Sequence, residues 1–393
     1  MKTTASLVAL ILAASLLGCT KPRMYVAEAD VDEVTVHGGS TARMWGDELP
    51  NDQDNRIAIL ERQFGGRDDF DTFTNPSTYL AISGGGSRGA FGAGLLKGWT
   101  ESGTRPEMFI VSGVSTGALI APFAFLGPEY DDELEKFYTS LSTEDLIAEQ
   151  TFLRSLFSDS IYDTRRLKRL LREIIDRPMI REIAEQYDRG RRLFIGTTNL
   201  EARRAVIWNI GAIAKVGSPE ADQMIRDVIL ASASIPGVFP PVRIKVWKHG
   251  QPFEEVHVDG GVSNQVFLFP VQVDFRHAAE QIGVSTDQEV YVIRNGYLAP
   301  RWGKVDFNFS SILGSSLETI IRTQGIGDLY RIYIGTQRAG ARFRLAYIHP
   351  EFDHPNEELF DPDYMTALFE HGYQSARNGY PWESAPPGVN PDE

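Results

Sequence analysis

The chain has 393 residues, with 39 Lys and Arg against 53 Asp and Glu, and a formal charge of −14. That length holds one large α/β domain or two smaller ones. The acidic balance argues against a partner bound through phosphate neutralisation, which needs clustered cations. It leaves a lipid surface open, because apolar contact can dock an acidic protein.

Residues 1–18 read as a secretory signal: Lys2 gives a basic start and Leu7 to Leu17 an apolar core, too short to span a bilayer, which needs about 20 residues. The stretch Leu16-Leu17-Gly18-Cys19 resembles the bacterial lipobox, with Cys19 as the acylated first residue of the mature chain. Two or more acyl chains on one residue would anchor it firmly, at about 0.8 kcal/mol per buried CH₂. Thr20 rather than Asp after it resembles the outer-membrane sorting pattern of cells with two membranes, so a lipid-anchored protein of the bacterial envelope is expected. Cys19 is the only cysteine, which excludes an internal disulfide and a cysteine nucleophile in the folded domain.

Residues 19–76 are polar and acidic, with a short helix expected at Arg56–Gln63, and read as a tether and N-terminal extension. The α/β pattern starts near residue 77. Thr78–Ser83 is an apolar strand stopped by Gly84-Gly85-Gly86, and a helical pattern resumes at Arg88. Met108–Val111 is a second strand, stopped by Gly113-Val114-Ser115-Thr116-Gly117 and followed by a helix ending at Leu126. Helices are expected at Asp131–Ser140, Leu167–Ile175, Met179–Tyr187 and Ala221–Ala231. Strands are expected at Arg192–Thr198, Ala205–Ile210, Glu254–Val258, Glu289–Arg294 and Ala341–Ile348. Ser232–Pro241 reads as a rigid loop, Ile312–Gly325 and Pro362–Arg377 as helices. Such alternation implies a mostly parallel sheet covered on both faces. One catalytic domain, residues 77–300, with a C-terminal extension, residues 301–393, packed on it, accounts for the pattern.

Two strand–turn–helix units carry the chemistry. The G-x-S-x-G of Gly113–Gly117 sets Ser115 at the tip of a sharp bend, the exposed position a nucleophile needs. The Gly84–Gly86 loop offers backbone N–H groups at a helix start, where they can receive an oxyanion. The same glycines, with Gly89, spell a dinucleotide G-x-G-x-x-G. That reading wants an acid closing the second strand, whereas Glu101 precedes that strand and Glu107 opens it. The residues therefore point to a serine hydrolase. A base for Ser115 could be a downstream histidine: His277, His349, His354 or His371, with His349 the best placed. The sharper feature is Asp259, at a strand end with the turn Gly260-Gly261 behind it and His257 on the same face. A carboxylate hydrogen-bonded to the serine hydroxyl can take its proton directly.

Taken together, Gly84-Gly85-Gly86-Ser87-Arg88-Gly89, Gly113-Val114-Ser115-Thr116-Gly117 and Asp259-Gly260-Gly261 resemble, in that order, the motifs of patatin-like phospholipases. The likeness extends to Thr197–Ala214 and Ala231–Val242. Ser83 stands where plant patatins carry Asp, and Asn264-Gln265 departs from the family's frequent Asn-x-Pro. The resemblance implies a three-layer α/β/α fold with a mostly parallel central sheet. It implies Ser115 as acyl-accepting nucleophile and Asp259 as general base. It also implies an oxyanion hole from the N–H groups of Gly84, Gly85 and Gly86, with Arg88 fixing the loop. The implied reaction is hydrolysis of phospholipid or lysophospholipid acyl esters through an acyl-serine, with no cofactor and no metal. A His-dependent esterase, thioesterase or acyltransferase remains the alternative enzyme, and a silent lipid-binding envelope lipoprotein the non-catalytic one. The aromatic-rich segments Thr151–Tyr162 and Val266–Phe275 are candidates for the acyl groove or a lid.

Overall fold

The molecule is seen in a computed structural model that describes residues 24–47, 78–140, 142–146, 148–149, 162–268, 288–356 and 358–390. Cys19, the signal-like stretch and the expected helix Arg56–Gln63 lie outside these residues. The apolar runs become strands wherever both faces can be covered. In chain order they are β1 (Arg43–Trp45), β2 (Thr78–Ile82), β3 (Ile110–Val114), β4 (Arg192–Asn199), β5 (Arg204–Asn209), β6 (Val242–Lys248), β7 (Gln251–Asp259), β8 (Glu289–Arg294) and β9 (Arg342–Tyr347). They form one sheet in the order β1-β5-β4-β3-β2-β8-β9, with β7 on β4 and β6 on β7.

The run from β9 to β4 is parallel throughout, and β5, β1, β7 and β6 add antiparallel pairings. Strands β2, β3 and β4 are buried at every position, as expected of parallel strands covered on both sides. Their side chains alternate between two cores. Leu80, Ile82, Val111, Leu193 and Ile195 face one layer; Tyr79, Ala81, Ile110 and Phe194 face the other. This is the period-two pattern of a strand.

The first core is covered by α1 (Gly89–Glu101), α2 (Thr116–Leu126), α3 (Asp131–Thr139), α4 (Arg165–Ile174), α5 (Arg177–Asp188), α6 (Pro219–Ser232) and, from the chain's end, α8 (Pro362–Ala376). The second is covered by α7 (Phe309–Ala339) through Leu329, Ile332 and Ala339. Helix, sheet and helix make the three layers. Helix α2 is apolar all round and correspondingly buried from Thr116 to Phe125. Helix α4 keeps only Leu167 and Leu171 buried, four apart on one face of a basic helix.

Besides the short strand β1, which the sequence does not announce, three features differ from the sequence expectation. β6 lies where no strand is expected, although Val242–Lys248 alternates buried and exposed residues as it pairs with β7. α7 runs to Ala339 instead of stopping near Gly325. Gly325, Gly327 and Gly335 each weaken a helix by about 1 kcal/mol and read as an end, but Leu329 and Ile332 pack on the sheet and carry the helix through. The segment 301–393, read as an extension, supplies β9 to the sheet and α8 to the first layer. α8 meets α1 at backbone distance: a Cβ on Gly94 would sit 2.0 Å from the Phe369 carbonyl oxygen, and one on Gly98 2.3 Å from that of Tyr373.

Candidate active site

The geometry starts from one register. Along β4, parallel β3 pairs as far as Val114 opposite Gly196, and antiparallel β7 takes over with Asp259 opposite Thr197. Two strands thus arrive head-on beside a third, and the residues at their tips, Ser115 and Asp259, meet. Ser115 Oγ donates to Asp259 Oδ2 at 2.6 Å, and both residues are buried.

Ser115 has φ 55° and ψ −124°, a left-handed backbone that non-glycine residues rarely adopt. Such a conformation costs about 1–3 kcal/mol and persists only where the surroundings impose it. Here they do. A Cβ on Gly117 would lie 2.2 Å from the Ile82 carbonyl oxygen, and one on Gly113 2.3 Å from that of Gly117. The Ser115 N–H donates to Ser232 Oγ at 3.0 Å, and that hydroxyl donates to the Gly196 carbonyl at 2.6 Å. Ser115 is also the residue before α2, so its hydroxyl stands at the positive end of that helix.

Asp259 is gripped on all sides. Its N–H donates to Ser234 O at 2.9 Å, its carbonyl accepts from Thr198 Oγ1 at 3.0 Å, and Oδ1 accepts the Gly261 N–H at 2.7 Å. A Cβ on Gly260 would be 2.4 Å from the Gly196 carbonyl oxygen, so that turn admits only glycine. Burial pushes the Asp259 carboxyl up to about 7, while the hydrogen bonds from Ser115 and Gly261 pull it the other way. Desolvation wins, and the carboxyl exchanges its proton in the range that base chemistry at neutral pH requires.

In the glycine loop the Gly84 N–H, counted above with the oxyanion donors, donates to Gln265 O at 3.0 Å and is occupied. Among the described residues the N–H groups of Gly85 and Gly86 meet no acceptor. Arg88 Nε and its own N–H both reach the Gly85 carbonyl, at 3.3 and 3.2 Å. Gln265 further bonds the base turn, Nε2 to Gly261 O at 2.7 Å, and α7, N–H to Asp328 Oδ2 at 2.7 Å. The next residue, Val266, sends its N–H towards the same carboxylate oxygen at 3.4 Å, a donor that proline lacks.

A family model described as patatin-like phospholipase matches residues 80–271, from β2 to past the Asp259 turn. This stretch is a patatin-like phospholipase domain. The patatin-like family consists of lipid acyl hydrolases, and their reaction is cleavage of acyl esters. No curated protein matches the sequence significantly. Among solved structures, the chain is similar to VipD from Legionella pneumophila, with 12% identity and a TM-score of 0.37, over 77% of this chain and 66% of that one.

The patatin-like domain opens on a cleft of about 950 Å³ with Ser115 and Asp259 at its floor. Gly85, Gly86, Arg88, Ile235 and Pro236 also line it. Most of the apolar remainder comes from outside the matched stretch, Tyr297, Trp302, Leu317, Ile320, Leu359 and Tyr364 among it, with Val262 from within. The aromatic segments expected to line an acyl groove do not do so where they are described. Val266, Phe267 and Leu268 are buried in the second core, Tyr162 packs towards Phe239, and 151–161 and 269–275 lie outside the described residues.

Among the described histidines none hydrogen-bonds Ser115 or Asp259. His257 bonds Thr197 and Glu255, His349 stacks on Tyr347, and His371 packs on Phe352. His354 lines the cleft and reaches the Pro355 carbonyl; His277 is not among the described residues. Glu107, the acid near the dinucleotide spacing, pairs with Arg191 at 3.3 Å. Among the described residues no group of three or more His, Cys, Asp and Glu is placed to hold a metal ion.

Three site residues escaped the sequence reading. Ser232 lies in the resembling segment Ala231–Val242, but nothing in its neighbours marks it as the partner of the elbow. Arg294 ends β8 and Asn295 follows it, over 200 residues after the loop they hold. Asn295 donates from Nδ2 to Ser83 O at 2.9 Å and accepts the Gly92 N–H at 3.0 Å. Only the polar residues closing an apolar strand, Arg294-Asn295-Gly296, give a hint of this.

Proposed function

We propose that this protein is a lipid acyl hydrolase of the phospholipase A or lysophospholipase type, acting through Ser115 and Asp259. One observation carries the reading. The Ser115 hydroxyl sits on a strained turn 2.6 Å from a buried carboxylate, on the floor of a large open cleft.

In this mechanism Ser115 Oγ attacks the ester carbonyl as Asp259 Oδ2 takes its proton. The carbonyl oxygen becomes an oxyanion and is received by the N–H groups of Gly85 and Gly86. The C–O bond to the leaving alcohol breaks, and Asp259 returns the proton to that oxygen. Water then enters, gives its proton to Asp259, and attacks the acyl-serine. Collapse releases the fatty acid and returns the proton to Ser115.

The cleft's size suits an acyl chain. Trp302 and Ile320 line the cleft and give it an exposed apolar rim, and Phe307, Ile312 and Leu313, between them in the chain, are exposed as well. An aggregated lipid approaching the cleft would meet this rim first. Among the described residues no helix is long and apolar enough to cross a membrane. In this reading, attachment to the bacterial envelope, to the outer membrane where there are two, comes from acylation of Cys19. Cys19→Ser should release the protein from membranes, and unchanged retention with lipid labelling at another site would contradict the anchor.

The test of function is fatty-acid release from phosphatidylcholine and lysophosphatidylcholine by the purified protein. Wild type should liberate free acid and Ser115→Ala should fall to background. Acid released equally by both, or an acyl group passed to an acceptor with none freed, would count against hydrolysis at Ser115. Unchanged turnover in His349→Ala and His354→Ala would separate this reading from the His-dependent one.

A further inference from the structure

The glycine loop ends β2, yet what holds it arrives 210 residues later in the chain. We propose that Arg294 is a positioning residue for the oxyanion loop, fixing the direction of the Gly85 N–H by holding the carbonyl of the same peptide unit. The inference rests on Ser115 being the nucleophile.

Arg294 closes β8 beside β2 and is 3% exposed. One guanidinium nitrogen donates to the Gly84 carbonyl at 3.3 Å and to Ser83 Oγ at 3.1 Å. Ser83 Oγ also accepts the Asn295 N–H at 2.8 Å, so both its acceptor sites are filled and its own hydrogen goes to the Gly84 carbonyl, 2.7 Å away. That carbonyl is therefore pulled into the protein by two donors that polarise one another. The peptide bonds are trans, and in a trans peptide the C=O and the following N–H point in opposite directions. Drawing the Gly84 carbonyl towards Arg294 aims the Gly85 N–H away from it, to the cleft side of the loop. Arg88 acts likewise on the next unit: it holds the Gly85 carbonyl, and the Gly86 N–H points the other way. Each donor of the hole is set by an arginine on the carbonyl behind it.

Arg294 adds a charge as well as a direction. Burial pushes its guanidinium down to about 10, which leaves it protonated at neutral pH. Among the described residues no carboxylate forms an ion pair with it; the nearby acid Asp328 is paired with Arg331 at 3.1 Å. A buried cation without a counter-charge is unfavourable in the resting enzyme. Its balance appears when the ester carbonyl becomes an oxyanion on the far side of the loop, so its attraction is greatest in the transition state. Room for the guanidinium is made by Gly325 of α7, where a Cβ would lie 2.8 Å from its terminal nitrogen. That gives Gly325 a reason to interrupt a long helix.

The test is steady-state hydrolysis of a soluble monomeric ester, p-nitrophenyl butyrate, by the full chain. Arg294→Met should lower kcat about 100-fold with KM nearly unchanged. Arg294→Lys should recover part of it, and guanidinium ion at sub-denaturing concentration should restore turnover to Arg294→Ala. Gly325→Ala should also lower kcat, while its melting temperature holds or rises because alanine favours the helix. Wild-type kcat in a folded Arg294→Met variant would overturn the proposal. If that variant does not fold, Gly325→Ala decides, and wild-type kcat there overturns it. Turnover surviving in Ser115→Ala would instead overturn the reading of the nucleophile.

Discussion

At Ser115 three constraints coincide: a backbone held at φ 55°, an N–H tied to Ser232 and a hydroxyl tied to Asp259. The proton affinity of Asp259 is set by burial. Because Asp259 titrates near 7, kcat/KM should be half-maximal near pH 7 and fall about tenfold per unit below it. A pH profile flat from about pH 5 to about pH 8 would contradict Asp259 as base. Stability should show the same group with the opposite sign. The folded carboxyl lies above its ordinary value of 3.8, so between 3.8 and about 7 the folded protein holds a proton that the unfolded chain has lost. Stability from this group is therefore present at low pH and lost as pH rises through that window, by about 4 kcal/mol in all. Asp259→Asn, which cannot ionise, should lose kcat by about 10²–10⁴-fold and yet show a higher urea midpoint than wild type at pH 8. Both residues of this pair could be read from short motifs because each sits on a turn that only glycine neighbours allow. Ser232, Arg294 and Asn295 could not, because nothing local distinguishes a serine or arginine that bonds a distant carbonyl from one that faces water.

Among the elements, the glycines of α1 do work that the sequence does not announce. Gly94 and Gly98 let α8 approach to backbone contact, and α1 begins where the glycine loop ends. Gly94→Ala should force the helices apart, an overpacking cost of about 1–3 kcal/mol, seen as a melting temperature lower by roughly 2–4 °C for each kcal/mol. An unchanged melting curve would show that α8 can slide without loss. β2, β3 and β4 are legible from their apolar runs, since fully buried parallel strands leave no other reading. β1 and β6 were missed for different reasons. β1 has three residues and gains its identity only by pairing with β5. β6 has the alternation of a half-exposed strand, but it follows directly on the prolines that mark the preceding loop. The length of α7 was hidden by glycines that local propensity counts as breaks and that tertiary packing tolerates.

For the whole molecule, the patatin-like match stops at residue 271, while β8, β9, α7 and α8 complete the sheet, its two layers and the cleft. Ser115 and Asp259 come from the matched part and most of the apolar lining of the cleft from the rest. The motifs could therefore indicate the reaction, whereas the wall that meets the substrate lies in segments without a motif. The exposed rim yields a prediction at this scale. Replacing Trp302 and Phe307 together with serine should lower hydrolysis of vesicle phospholipid at least about tenfold, since each aromatic contributes about 1.5–3 kcal/mol when buried in an apolar phase. Turnover of a soluble butyrate ester, which needs no docking to a lipid phase, should fall far less. Equal loss on both substrates would show that these residues support the fold instead of meeting lipid.

The most direct measurement on the central claim is covalent labelling by a fluorophosphonate, read by intact mass and peptide mapping. One adduct is expected, on Ser115, formed more slowly in Asp259→Asn and absent from Ser115→Ala. No adduct on the folded wild type, or an adduct that persists in Ser115→Ala, would contradict it.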